Sequence, residues 1–386
     1  MVKIDKIYID AAVCESEVSR RILARLKGVP RDEVHDAYSF QDKIRDLSLS
    51  AGKRILWLTS FDGPLVKPCP GTAESYLCCR YWIINAQTNC PLDCSYCILQ
   101  GYLNQPVITV YVNIDQVFQE IDRILASEPH RLFRFGTGEL TDSFVLDPLT
   151  GYNEYLIENA QSRNMILELK TKTAEVEHLP VLSRRNIVLA WSLNPREVIS
   201  REEFKTASIS ERLKAAKEVL KKGYRLAFHF DPILSFQDSE KSYAEMIRAL
   251  VEAVPEEAIA WISLGSLRFP SSLKNIIEER FPKSSITSGE LIKGMDGKYR
   301  YFRPLRVQLY KNVYDRLRMH WKSPWVYFCM ENAAVWQDVM GMAPEDNAHL
   351  DFLFHESLAK RFPDLGLKYP DRNDYPNPSA IKGDKR

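Results

Sequence analysis

Apolar and polar positions alternate along this chain in a way that switches repeatedly between strand and helix periods. KIYID reads as a strand, SEVSRRILARL as an amphipathic helix and KRILWLTSF as a second strand. PLVKPCPGT is rich in proline and predicts a linker out of this first unit. RYWIINAQT predicts a strand that delivers a cysteine-bearing loop. VITVYVN, RLFRFGTGEL, MILELKTK, NIVLAWSLN, YRLAFHFDPI and AIAWISLGSLRF follow as strand patterns. Between them, IDQVFQEIDRILAS, NEYLIENAQSR, ISERLKAAKEVLKKG and SYAEMIRALVEAV read as helices, with Gly223 as a C-cap. Strands separated by helices of about 10 to 15 residues predict βα units and a parallel sheet.

The expected fold is therefore α/β. A small N-terminal α/β domain covers residues 1–78. A partial (β/α)6 barrel covers 79–275, a basic and aromatic extension 276–365, and a polar, proline-rich tail 366–386 reads as flexible. Active sites of such barrels gather at the C-terminal ends of the strands. The polar residues fall there: the cysteine loop, GTGEL, KTK, SLN, FDP and GSLRF.

Composition narrows the picture little. Among 386 residues, 45% are apolar, which suits a packed globular chain. Lys plus Arg is 52 against 51 for Asp plus Glu, so any nucleic-acid groove must be local. No run of about 18 apolar residues occurs, so no membrane partner is expected. The first residues lack the apolar core of a secretion signal, and the eight cysteines suit a reducing, cytoplasmic setting.

Cys90, Cys94 and Cys97 give the spacing C-x3-C-x2-C in NCPLDCSYCILQ. Soft thiolates favour iron–sulfur clusters or zinc, and three on one loop leave one iron of a [4Fe–4S] cube without a protein ligand. Buried apolar cysteines, or a zinc site completed by a distant histidine, are the plainer alternatives. Cys14, Cys69, Cys78, Cys79 and Cys329 read as packed thiols, with the Cys78–Cys79 pair a second redox or ligand candidate.

The uneven spacing, with Tyr96 just before the last cysteine, resembles the radical S-adenosylmethionine superfamily. Read with its flanks, YLCCRYWIINAQTNCPLDCSYCILQGYLNQPVITVYVN, RFGTGELTDSFVLDPLTG, ELKTKTAEVEHL, ERLKAAKEVLKKGYRLAFHFDPI and LRFPSSLKNIIEERFPKS are similar to the spore photoproduct lyase family of DNA-repair enzymes, from about residue 4 to 310. The resemblance implies a radical SAM barrel, a [4Fe–4S] cluster on Cys90, Cys94 and Cys97, and S-adenosyl-L-methionine on its open iron. It implies that Gly138 and Glu139, in Thr137-Gly138-Glu139, contact the methionine amino group and that Thr141 lies near the cofactor. Lys172 and Ser192 match positions that hold the methionine carboxylate, with Asn194 beside them and Tyr96 near the cofactor. Lysine at that place makes sense as a point charge facing a carboxylate.

Two departures bear on function. The alignment puts Glu139 where the family has its hydrogen-donor cysteine, and Ile98 where it has a tyrosine after the last cluster cysteine. Asp142 matches the acidic residue that follows, and with Tyr96 and Glu139 it is a candidate catalytic residue. Tyr96 and Cys329 stand as candidate substitute donors. Repair of a thymine-dimer lesion in DNA, the same fold acting on another nucleotide, RNA or protein, and a non-catalytic nucleic-acid binder all remain on the table.

For a nucleic-acid substrate, KYRYFRPLRVQLYK places Arg300, Arg303 and Arg306 among aromatics, as a stacking surface or as an amphipathic hairpin with solvated arginines. Arg268 matches a family arginine at a strand end, and Asp231 is a candidate substrate contact. His229 reads as a satisfied core histidine. The family also implies an external electron donor of flavodoxin or ferredoxin type.

Overall fold

A computed structural model describes residues 2–70 and 75–376. Two large sheets divide the described residues, with a two-stranded and a three-stranded ribbon beside them. The first runs, in order of hydrogen-bonded neighbours, Arg31–Val34, Lys6–Asp10, Ile55–Thr59, Ile108–Tyr111 and Gln87–Thr88. All of its pairs but the last are parallel. The second is eight-stranded and curls into an open barrel. Its order is Trp325–Phe328, Ile259–Ser266, Arg225–Ile233, Ile187–Ser192, Met165–Thr171, Phe133–Gly136, Trp82–Ile84 and Val66–Pro68. All neighbours are parallel except the final pair.

Several boundaries differ from the pattern-based expectation. RYWIINAQT is two short strands in different sheets, so this segment stitches the N-terminal unit to the barrel. VITVYVN joins the N-terminal sheet, because Ile108–Tyr111 lies parallel to Ile55–Thr59. The proline-rich segment contains an edge strand, Val66–Pro68, at the sheet position where proline is tolerated. Trp325–Phe328 belongs to the barrel although it lies beyond residue 275. The expected tail packs as far as residue 376. Tyr375 is fully buried, with its hydroxyl accepting from Leu132 N at 3.1 Å and 2.6 Å from His355 Nδ1. Residues 377–386 lie outside the described part.

Sheet alternation sorts the barrel strands. Leu167, Leu169, Leu189, Trp191, Leu226 and Phe228 are buried on the outer face, where the helices pack. The register aligns the opposite set: Arg134, Gly136, Glu168, Ala190, Ser192, Ala227, His229, Trp261, Ser263 and Tyr327. This inner face carries charge, and its members reach across the lumen. His229 Nε2 lies 2.7 Å from Glu168 Oε1 past the intervening strand, whose Ala190 leaves room. The N-terminal end of the lumen is plugged. Phe354, on the helix Asn347–Arg361, packs edge-on to Trp261, Trp325 and Tyr327 with centroids 6.0, 6.0 and 4.7 Å away. The Arg134 guanidinium stacks on the same ring at 3.5 Å. With one end closed and greasy, the polar groups face the other end.

Candidate active site at the barrel mouth

The cysteine loop is shaped by its flanks. Asn89 adopts φ +68°, a left-handed conformation that asparagine tolerates, and its Oδ1 accepts from Cys90 N at 2.8 Å. Its amide anchors the turn to Pro106 O. Downstream, Gln100 Nε2 donates to Cys94 O (3.1 Å) and Ser95 O (2.9 Å). Lys53, inserted from the N-terminal unit, donates to Leu92 O and pairs with Asp93 at 2.9 Å, where Arg280 also binds at 2.9 Å. The loop carbonyls are thus satisfied by protein groups. Cys90 and Cys94 are buried and Cys97 is half-buried, close enough to influence one another's ionisation. Burial pushes the Cys90 thiol up to about 12 and Cys94 well above the usual range. Among the described residues the three thiols do not form a closed metal site as they stand, but buried thiols that influence one another chemically suit a cationic, thiophilic centre, which compensates the thiolate charge that burial penalises.

Backbone pairing ties this loop to the strand ends. Asp93–Cys94 lies antiparallel to Glu203–Phe204, with Glu203 opposite Cys94. The Glu203 carboxylate is fully buried. One oxygen receives the Tyr96 hydroxyl, Asn194 Nδ2 (2.9 Å) and Lys172 Nζ (3.3 Å). The other receives Arg212 Nη2 at 2.6 Å. Burial acts against the charged form, but Lys172 and Arg212 outweigh it and hold the Glu203 carboxyl at about 2. Lys172 also reaches the Tyr96 hydroxyl at 3.2 Å, so of its three ammonium donors one stays uncommitted. Arg212 Nη1 binds Ser192 O at 2.7 Å, fixing the end of that strand. Tyr96, Lys172, Ser192 and Asn194, separate in sequence, therefore meet at one point. Glu203 and Arg212 were missed by sequence reasoning. Neither sits in a motif, and only the fold brings them to the cysteine loop.

The loop after Phe133–Gly136 crosses the adjacent strand end. A Cβ on Gly138 would come within 2.6 Å of Lys170 Cβ, so only glycine lets the lysine lie flat over this backbone. Lys170 Nζ reaches the Glu139 carboxylate, which is half-exposed at the mouth. Thr141 is buried, its hydroxyl directed to Asp142 O. Asp142 is enclosed by the loop and the adjacent strand end. Its Oδ1 accepts from Phe144 N (2.9 Å), Val145 N (3.2 Å) and Thr171 Oγ1 (2.8 Å), and its Oδ2 from Lys172 N (2.7 Å). A carboxylate whose acceptors are used by backbone and threonine organises the loop and strand end. Burial, the dominant influence, raises its pKa.

Opposite, Asp231 and Arg268 form a two-pronged ion pair at 3.1 and 2.8 Å. Burial opposes ionisation of Asp231, but Arg268 holds its pKa below the ordinary carboxylate value. Deeper, Glu168 takes His229 Nε2 and Trp261 Nε1 (3.3 Å), which satisfies His229 as expected. The basic aromatic segment is not a free surface. Arg300 is buried with Nη2 on Asp296 at 2.6 Å and its guanidinium stacked on Tyr76 at 4.4 Å. Arg303 pairs with Asp338, and Arg306 is buried against Glu331 at 2.9 Å. The segment folds as the second arm of a hairpin, Tyr299–Tyr301 antiparallel to Leu291–Lys293, followed by the helix Arg303–His320, and its arginines are ion-paired rather than merely solvated. No helix among the described residues is long and apolar enough to cross a membrane.

With this geometry in hand, comparisons with known proteins converge. A family model described as spore photoproduct lyase matches residues 74–320. A curated spore photoproduct lyase from Geobacillus sp. (strain Y412MC61) is 29% identical over 214 residues, 54% of this chain and 63% of its own length. That of Bacillus subtilis (strain 168) is 27% identical over 238 residues, 60% of this chain and 68% of its own. A mutant spore photoproduct lyase solved with bound AdoMet and dinucleoside spore photoproduct superposes with a TM-score of 0.74 at 24% identity, covering 84% of this chain and 98% of that one. A further structure, complexed with dinucleoside spore photoproduct, gives 0.73 at 24% identity, covering 85% and 99%. At such identity the structural likeness establishes the fold.

Proposed function

The chain belongs to the spore photoproduct lyase family, and from that premise we propose that it is a radical S-adenosylmethionine enzyme repairing a thymine-dimer lesion in DNA. The observation that carries this reading is the meeting, at one barrel mouth, of the Cys90–Cys94–Cys97 loop with Lys172, Ser192 and Asn194. Cys90, Cys94 and Cys97 would hold a [4Fe–4S] cluster, and Gly138, Glu139, Thr141, Lys172, Ser192 and Asn194 would surround S-adenosyl-L-methionine. When bound, these cofactors supply a 5′-deoxyadenosyl radical that abstracts hydrogen from the substrate.

The chain's own groups do the rest. Lys172 offers its uncommitted N–H to a carboxylate, while Glu203 keeps the ammonium oriented. Tyr96, donating to Glu203, braces the lysine from below the cysteine loop. The Phe354 plug closes the lumen to bulk water from behind. Lys170 with Glu139, and Arg268 with Asp231, ring the mouth as paired charges that can re-pair with a polar, phosphate-linked lesion. Such a lesion has to leave the base stack to enter, which costs a few kcal/mol and least for a damaged step. An external electron donor of flavodoxin or ferredoxin type completes the partners.

A second reading has one observation in its favour. The loop position of the family's donor cysteine is Glu139, engaged with Lys170, so the same fold acting on another nucleotide, RNA or protein would also suit this mouth. Anaerobic reconstitution followed by incubation with a dinucleoside spore photoproduct separates the two. Recovered thymidine supports repair; 5′-deoxyadenosine without thymidine supports another substrate.

A further inference from the structure

The last barrel strand ends on a sulfur. Cys329 follows Trp325–Phe328, and its N–H donates to Leu264 O at 2.9 Å, continuing the parallel ladder. Tyr327 is in register with Ser263, so alternation puts Cys329 on the same inner face, one step nearer the mouth. Its Sγ lies 3.4 Å from Arg268 Nη2, whose guanidinium holds Asp231. The next residue, Met330, adopts φ +60°, a left-handed backbone that such a side chain rarely takes. This twist turns Met330 Sδ to 3.3 Å from Arg268 Nε, so two sulfurs flank one guanidinium. Strain of this kind persists where the surroundings over-determine it, commonly at working sites.

One hydroxyl of the same lumen, Ser263 Oγ, is buried without a partner, and the residue is 1% exposed. Buried polar groups are ordinarily satisfied, so Ser263 points to an occupant of the lumen that supplies its partner. Ser263 is in register with Tyr327, so such an occupant lies against the strand that ends at Cys329. Burial keeps the Cys329 thiol protonated, well above the usual range.

We propose that Cys329, at the end of the last barrel strand, is the hydrogen-atom donor that ends the reaction. The assignment rests on the repair reading above. The carbon radical left after the linking bond breaks forms a C–H bond, and the Cys329 S–H bond is broken, leaving a thiyl radical. One electron from the external low-potential electron donor, with one proton from solvent, restores the thiol. Neither a carboxylate at Glu139 nor an alkyl chain at Ile98 has a hydrogen weak enough to give, and the Tyr96 hydroxyl is held by Glu203. Because the Cys329 thiyl radical is quenched by an external electron and a proton, nothing takes the hydrogen back from 5′-deoxyadenosine, and S-adenosylmethionine is consumed once per turnover.

Two measurements test it. In cluster-free protein, iodoacetamide labelling of Cys329 is followed by peptide mass spectrometry with and without the dinucleoside spore photoproduct, with Cys14 as the reference. Cys329 labelling should slow about tenfold or more on occupancy of the lumen while Cys14 is unchanged. In reconstituted enzyme, C329S keeps the volume but offers an O–H too strong to donate. Its kcat for thymidine release should fall by about a hundredfold with KM unchanged, while 5′-deoxyadenosine still forms. Equal labelling with and without the dinucleoside, or wild-type kcat in C329S, overturns the donor assignment and leaves the repair reading standing. A wild type that cleaves S-adenosylmethionine yet leaves the dinucleoside intact overturns the repair reading, and the assignment falls with it.

Discussion

The two rims of the barrel mouth are built differently. On the cysteine-loop rim, Glu203 is enclosed by Tyr96, Lys172, Asn194 and Arg212, and loop carbonyls are met by Lys53 and Gln100. On the opposite rim, Asp231 and Arg268 are half-buried, a left-handed Met330 is retained, and Ser263 keeps an unpartnered hydroxyl in the lumen beneath. A fully satisfied polar network rigidifies. An under-satisfied one waits for something to bind. Under the proposed function, the cofactors would occupy the first rim and the substrate the second.

The comparison can be broken from its stronger side first. Replacing Cys90, Cys94 and Cys97 together with alanine should abolish the iron chromophore and 5′-deoxyadenosine formation while the thermal unfolding transition persists, as read by absorbance, chromatography and circular dichroism. Next, E203A leaves Lys172 and Arg212 as buried unpaired cations and should destabilise by about 3–5 kcal/mol, measured by denaturant unfolding. It should also weaken S-adenosylmethionine binding in calorimetry, since Lys172 loses its orienting partner. F354A opens the closed end of the barrel at a cost of about 3–5 kcal/mol by the same unfolding assay.

Acid sharpens the lumen itself. Burial raises the Glu168 carboxyl, but His229 outweighs it and brings it from 4.5 to about 2. A depressed carboxyl adds stability that is present above pH 4.5 and lost as pH falls towards 2. E168Q should therefore flatten the fall of melting temperature across that window relative to wild type. The smallest effect belongs outside both rims. Arg303 pairs with Asp338 at the surface, and R303A should change stability by less than about 1 kcal/mol in denaturant unfolding and leave dinucleoside binding unaltered in calorimetry.

The parallel barrel was legible because each βα unit carries its own period, and the strand ends that matter, KTK, SLN, FDP and LRF, were readable from those periods alone. What failed was non-local. VITVYVN looks like any half-buried strand, and nothing in it says that its neighbour is Ile55–Thr59. WVYF looked like part of an extension because a long helix, Arg303–His320, separates it from the earlier strands. The arginines of the basic segment could not be read as paired, because Asp338 and Glu331 reach them from later elements. The cysteine triad was legible from spacing. Its anchor, Glu203, was not, since a glutamate in REEF is ordinary until folding places it opposite Cys94.

The central claim is that the three clustered thiols hold a cube with an open iron that S-adenosylmethionine occupies. The direct measurement is electron paramagnetic resonance of the anaerobically reconstituted, dithionite-reduced protein with and without S-adenosylmethionine. The account predicts one reduced [4Fe–4S] signal per chain whose line shape changes when S-adenosylmethionine is added. Tetrahedral zinc in the purified protein, or an iron signal indifferent to S-adenosylmethionine, would contradict it.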